Sequence, residues 1–292
     1  MDGFKIFTLI VTIVFLILLI LVFLFIRKPE LLKQHLIKTY DIIPDINVTD
    51  SVLNVEKFEN YTIYELVADP PSINDIIVID IPGGAFIESV VNFKPYQAMK
   101  LPYNVISITY PTLFDNRAKD AISYIERAIK HIQKTKYPQA QIVLIGTSAG
   151  AYYATKVINR SNVKNISKFI GICGYYGAAT MPYNVVVNAL DRMYLTSFKD
   201  FAEYQCNVIS SNILSLYITS TDDFLEQSTK SYAMLCQQKV YTFGGNHTFF
   251  TQDTPSAQEA YDIVKSFITG KPIPSPPIPA IPTLPPPPSS SK

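Results

Sequence analysis

The residues whose types and spacing could do chemistry are Ser148, His247 and a pair of aspartates between them. Ser148 stands between two glycines in Gly146-Thr147-Ser148-Ala149-Gly150, directly behind the apolar run 142–145. A strand that ends in Gly-x-Ser-x-Gly and passes into a helix puts its serine at the tip of a tight turn, hydroxyl exposed. That arrangement suits nucleophilic attack. A serine attacks only if a general base takes its proton, an acid orients that base, and donors stabilise the oxyanion. The pentapeptide alone is a frequent chance match, so its meaning depends on whether the chain supplies those parts.

The base must come from three histidines. His35 follows the amino-terminal apolar segment, and His131 falls late in a helical pattern over 115–133, on its solvated face. His247 follows the apolar run 240–243 through Gly244-Gly245-Asn246, where a loop leaves the carboxyl end of a strand. By elimination His247 is the expected base. The acid is expected at the preceding strand end, where the run 214–219 passes into Ser220-Thr221-Asp222-Asp223-Phe224-Leu225. Asp223 is favoured, with Asp222 as the alternative; the other aspartate would then be a helix cap next door. Pro82-Gly83-Gly84-Ala85-Phe86, after the run 76–81, puts glycine where backbone must approach a substrate closely. The N–H groups of Gly83 and Gly84, with that of Ala149 just past the serine, are the expected oxyanion donors. Serine, aspartate and histidine follow in the order of the α/β-hydrolase triad rather than the chymotrypsin or subtilisin orders. Cys173, Cys206 and Cys236 are odd in number and widely spaced, and read as buried apolar thiols. Neither a metal nor an organic cofactor is implied.

The elements that must carry these residues are legible as alternating patterns. Runs 52–58 and 61–67 read as two strands joined at Glu59-Asn60. The short apolar runs 76–81, 105–109, 142–145, 169–173, 214–219 and 240–243 read as fully buried strands. Helical patterns lie between most of them, clearest at 115–133, 149–159, 224–237 and 256–268. Such alternation predicts an α/β fold, a mainly parallel central sheet with helices on both faces. Residues 175–212 break the rhythm, and their length and aromatic content suit a small cap-like insertion over the active-site edge. Tyr175, Tyr176, Tyr183, Tyr194, Phe198, Phe201 and Tyr204 within it could wall an apolar pocket or form the insertion's own core; the latter is favoured.

The two ends are of another kind. Residues 6–26 are 21 consecutive uncharged positions, enough at 1.5 Å each to span a ~30 Å hydrocarbon core, and read as an N-terminal transmembrane helix. The segment lacks small residues for cleavage at its end, so an uncleaved single-pass anchor is expected, after a tail of residues 1–5. Arg27, Lys28, Lys33 and Lys38 in the juxtamembrane segment 27–50 place the body of the protein in the cytoplasm by the positive-inside rule. Five glycosylation sequons, at Asn47, Asn60, Asn159, Asn165 and Asn246, point to the opposite side. The side stays open. Residues 271–292 form a proline-rich tail, a polyproline II spacer or a docking peptide for SH3 or WW modules. That leaves 51–270 as the folded domain. A net charge of +1, from 25 basic and 24 acidic residues with no basic run, offers no footprint for nucleic acid.

Over residues 70–270 the chain resembles the α/β-hydrolases of the hormone-sensitive-lipase and arylacetamide-deacetylase type. Pro82-Gly83-Gly84-Ala85-Phe86 is similar to their His-Gly-Gly-Gly, and Ile108-Thr109-Tyr110-Pro111 to their Tyr-Arg-x-x-Pro. Asp120-Ala121 is similar to their Asp-Ala, and the elbow to Gly-Asp-Ser-Ala-Gly with Thr147 in place of Asp. The acid segment resembles Gly-x-x-Asp-Pro-Leu, which maps Asp223 onto the acid, and Asn246-His247-Thr248-Phe249 resembles His-Gly-Phe. The resemblance implies an esterase or lipase-like serine hydrolase acting on a small-molecule ester or lipid, and it also favours a lumenal or extracellular catalytic domain. Pro82 removes a histidine that braces the loop in those enzymes, and Ala85 removes a glycine. An amidase or acyltransferase with the same triad, or a catalytically idle binding or scaffold protein of hydrolase fold, are the alternatives.

Overall fold

A computed structural model of the chain describes residues 53–68, 75–112, 118–160, 162–177, 180 and 205–273, with Thr12, Gln34 and Lys38 besides. The anchor expected at 6–26 (Thr12 apart), His35, Tyr183, Tyr194, Phe198, Phe201, Tyr204 and the proline-rich tail from 274 lie outside the described residues. Among the described residues no helix is long and apolar enough to cross a membrane.

The chain opens with a hairpin, β1 (Leu53–Lys57) and β2 (Thr62–Leu66), antiparallel with Leu53 opposite Leu66. Alternation then begins: β3 (Ile76–Ile81), α1 (Lys94–Met99), β4 (Val105–Ile108), α2 (Ala118–Thr135), β5 (Gln141–Thr147), α3 (Ala149–Asn159) and β6 (Ile166–Ile172). After the long connection come β7 (Leu214–Asp222), α4 (Glu226–Leu235), β8 (Val240–Asn246), a 3-10 turn at Phe249–Thr251 and α5 (Pro255–Thr269). Among the described residues the eight strands form one sheet in the order β1-β2-β4-β3-β5-β6-β7-β8. β2 pairs antiparallel with both β1 and β4, and every pairing from β4 to β8 is parallel. The α/β architecture expected from the alternating runs is the one found.

Both faces of the central strands are apolar because both are covered. Successive side chains of a strand point to opposite faces, and the two apolar layers divide the strands accordingly. Ile77, Ile79, Ile142, Leu144 and Phe169 pack with α2, α3 and α4, while Val78, Val143, Ile145, Ile170 and Ile172 pack with α1 and α5. α2 buries Ile122, Ile125, Ile129 and Ile132, a stripe at helical spacing that lies on the sheet. α5 is bounded by local chemistry at both ends. The Thr254 hydroxyl accepts the Ala257 N–H at its start, and Gly270, at φ 74°, closes it in the left-handed conformation.

Several boundaries differ from expectation, and β6 already starts at Ile166, three residues before its apolar run. β5, β7 and β8 run two or three residues further than their apolar runs, through Gly146-Thr147, Ser220-Thr221-Asp222 and Gly244-Gly245-Asn246. Ladder partners such as Asp222 with Asn246 carry these polar ends, and pairing of that kind has no local signature. α1, with Pro95 in its first turn, has no counterpart in the helical patterns read from the sequence. In the insertion, Tyr175 and Tyr176 are core residues: Tyr176 lies flat on Tyr232 at 4.2 Å between centroids.

Candidate active site

The turn after β5 explains its own sequence. Ser148 sits at φ 54°, ψ −122°, between a strand and a helix that begins at the next residue. A non-glycine residue in that region is strained and persists only where its surroundings hold it. Here the Ser148 N–H donates to the Ile172 carbonyl at 2.9 Å, and its own carbonyl accepts the N–H groups of Ala151 and Tyr175, both at 3.1 Å. The flanking glycines are required by space. A Cβ on Gly146 would lie 2.5 Å from Ala151 Cα, and one on Gly150 would lie 1.9 Å from the Ile81 carbonyl oxygen.

Parallel pairing brings the other parts to the same edge, since β5, β6, β7 and β8 all end there. His247 follows β8 directly, and its Nε2 is 2.9 Å from Ser148 Oγ. Its Nδ1 is 2.6 Å from Asp223 Oδ1. Asp223 is held by two further donors: the same Oδ1 accepts the Leu225 N–H at 2.8 Å, and Oδ2 accepts the Thr219 hydroxyl at 3.3 Å. The loops bearing acid and base are tied together by the Ser220 hydroxyl, which donates to the Asn246 carbonyl at 2.7 Å. Asp222, the alternative acid, is exposed at the end of β7.

Burial by itself raises the Asp223 pKa. The hydrogen bond and charge of His247, the Leu225 N–H and the Cys173 thiol outweigh it and hold the carboxyl below its ordinary range. A carboxylate kept ionised against the Nδ1 edge holds the imidazole in the tautomer that leaves Nε2 free to accept the serine proton. Cys173 is buried beneath this pair with φ 47°, its thiol pushed well up by burial and by the neighbouring Asp223 carboxylate. Spacing alone showed Cys173 as a buried thiol and held no sign of this contact. Sγ of Cys173, a carboxylate oxygen of Asp223 and a nitrogen of His247 all lie within 4.8 Å of one another, as ligands of an ion could. The 2.6 Å separation between Nδ1 and Oδ1 fits a hydrogen bond; two ligands on one tetrahedral zinc sit about 3.3 Å apart.

The glycine loop lies against the serine. A Cβ on Gly83 would be 2.9 Å from Ser148 Cβ, and Gly84 adopts φ 134°. Among the described residues the N–H groups of Gly83, Gly84 and Ala149 meet no protein acceptor. Ala85 and Phe86 continue the loop at φ 53° and 63°, so two side-chain-bearing residues occupy the left-handed region in succession. The Phe86 ring is clamped edge-on by Tyr152, Tyr153 and Tyr175, at 5.5–5.7 Å between centroids. At the open side Phe224 is half exposed and lies over the His247 ring, 4.3 Å between centroids. His131, by contrast, has other partners. It is partly buried rather than solvated, paired with Glu56 at 3.0 Å and edge-on to Phe58.

The sequence matches no family profile and no curated protein. Solved structures are similar to it in fold. An esterase from Pseudomonas putida superposes with TM-score 0.66 at 11% identity, covering 83% of this chain and 89% of that one. Carboxyl esterase 2 of the fungus Tuber melanosporum gives 0.63 at 12% identity, over 77% and 88%. The Pyrobaculum calidifontis esterase gives 0.61 at 14% identity, over 82% and 92%. The fold of this chain is that of the α/β-hydrolases.

Proposed function

We propose that the protein is a carboxylic ester hydrolase with Ser148 as nucleophile, His247 as general base and acid, and Asp223 as its orienting partner. The observation that carries this reading is the unbroken hydrogen-bonded chain from Ser148 Oγ through His247 to a buried Asp223, mounted on a strained turn beside a glycine loop. The similar solved structures, several of them esterases, support it.

Ser148 Oγ attacks the ester carbonyl carbon as its proton passes to His247 Nε2. The carbonyl π electrons move to oxygen, and the N–H groups of Gly83, Gly84 and Ala149 stabilise that oxyanion. Collapse breaks the bond to the alcohol oxygen, which leaves with the proton from Nε2. The acyl group stays on Ser148. Water then attacks the acyl-enzyme, giving its proton to Nε2, and the second collapse returns the proton to Ser148 Oγ and releases the acid. No step draws on a cofactor.

Hydrolysis of p-nitrophenyl acetate by the parent and a Ser148→Ala variant tests this, together with fluorophosphonate labelling. A loss of at least about 10³-fold with loss of label is expected. Equal rates, with no label on the parent, would instead favour an idle binding protein. Residues 6–26 tether the domain to a membrane in this reading, which rests on their length and apolar character. Release of the full chain from membranes by alkaline carbonate would refute the tether. The proline-rich tail is the candidate SH3 or WW ligand.

A further inference from the structure

We propose that Tyr110 is a positioning residue that sets the direction of the oxyanion-binding amide of Gly83, an inference that rests on the ester-hydrolase reading above. The argument starts from the peptide plane. In a trans peptide the carbonyl of one residue and the N–H of the next point in opposite directions. A donor that holds a carbonyl therefore also aims the following N–H. The glycine loop is held in this way at three consecutive peptides. The Tyr110 hydroxyl donates to the Pro82 carbonyl at 2.6 Å, the Val90 N–H donates to the Gly83 carbonyl at 3.0 Å, and the Ile87 and Glu88 N–H groups donate to the Gly84 carbonyl at 2.9 and 3.0 Å.

The amides so aimed belong to Gly83, Gly84 and Ala85. Two of these are the proposed oxyanion donors. Without such anchors the loop could rotate, because glycine imposes little on its own φ and ψ. Of the anchors, Tyr110 is the one side chain, and it reaches the loop from outside it, from the end of β4. It is buried, and its ring packs on Tyr153 of α3, 4.5 Å between centroids. α3 starts at the nucleophile, so one tyrosine references the loop to the helix that carries Ser148. The loop also touches that helix directly, since a Cβ on Gly150 would lie 2.7 Å from the Pro82 carbonyl oxygen. Hence the Gly83 amide and Ser148 Oγ are positioned against each other by rigid parts, as oxyanion binding needs.

Tyr110→Phe keeps the ring and removes only the donor. The readouts are kcat and KM for p-nitrophenyl acetate, the inhibition constant of a trifluoromethyl ketone, and the thermal midpoint, with parent and Ser148→Ala measured alongside. The geometry requires kcat to fall about 10- to 100-fold, KM to stay within about twofold, and ketone affinity to fall by the same factor as kcat/KM. A merely structural tyrosine would lower the midpoint and leave folded enzyme with parental kcat and ketone affinity; that result overturns the proposal. If Tyr110→Phe does not fold, Val90→Pro decides the matter. It deletes the loop N–H that holds the Gly83 carbonyl, and the same paired loss is expected, while parental kcat overturns the peptide-plane mechanism. If the parent is no faster than Ser148→Ala, the hydrolase reading fails and this inference with it. If the parent is active and Tyr110→Phe matches it, this inference alone fails.

Discussion

At the residue scale, two adjacent aspartates compete for one role, and geometry separates them by a half turn of chain. Asp223 is buried and bonded to His247 Nδ1, whereas Asp222 faces solvent. Asp223→Asn is expected to lower kcat for a short ester by about 10⁴-fold, because an amide no longer enforces the productive imidazole tautomer. Asp222→Asn is expected to change it less than about threefold; steady-state rates at pH 7.5 check both. Phe224 stands where the resemblance has proline, and only the structure shows what that places beside the histidine. A half-exposed ring over the imidazole contributes on the order of 1 kcal/mol, so Phe224→Ala should lower kcat/KM about fivefold. Order along the chain singled out Ser148, His247 and both aspartates. It favoured Asp223 but held no sign that this one is buried and its neighbour exposed, since one residue of register at a strand end turns a side chain from inside to outside.

At the scale of elements, the turn at Ser148 is specified locally on one side and by a distant strand on the other. Gly146 is demanded by the helix that follows. Gly150 is demanded by β3, whose Ile81 carbonyl oxygen would lie 1.9 Å from an added Cβ. Gly150→Ala is therefore expected to destabilise the protein by about 2 kcal/mol or more, read from the urea midpoint of the described domain in the full chain. Gly244→Ala is the control. Its Cβ would meet only Ser256 Oγ at 3.4 Å, an ordinary contact, and a change under about 0.5 kcal/mol is expected. Buried strands and amphipathic helices were readable because their apolar periods are local. The polar ends of β7 and β8, α1, and the Tyr110 anchor of the glycine loop were not, because their partners lie tens of residues away.

At the scale of the whole molecule, the sheet buries a carboxyl that takes no part in the proposed chemistry. Asp80 of β3 points into the α1/α5 layer, accepting hydrogen bonds from the Tyr96 and Ser107 hydroxyls at 2.8 Å each. Burial pushes its pKa up from 3.8 to about 6, against the lowering effect of those two donors. A raised carboxyl pKa means that folding favours the protonated form. This contribution is whole below pH 3.8, is lost progressively as pH rises to about 6, and is absent above that. The size is on the order of 3 kcal/mol. Glu56, Glu65 and Asp223 have lowered pKa values and act in the opposite sense, losing stability as acid is added. The stability difference between the parent and Asp80→Asn should accordingly fall between pH 4 and 6 and be flat from 6.5 to 8. Urea titrations across that range measure it, and a flat difference throughout would refute the assignment.

The order of parts needed no coordinates: an elbow behind a buried strand, a glycine loop one unit upstream, then an acidic pair and a histidine at later strand ends. Alternating buried runs and helical patterns were likewise enough for the sheet-and-helix class, because hydrophobic period is written residue by residue. Tertiary structure alone showed that the favoured aspartate is the buried one bonded to the histidine, where the Cys173 thiol lies, and which side chain the Pro82 carbonyl accepts a hydrogen bond from. Those are distances between segments 24 to 99 positions apart. They follow from strand register and from layers packing on both faces of one sheet, and no short window of sequence contains either.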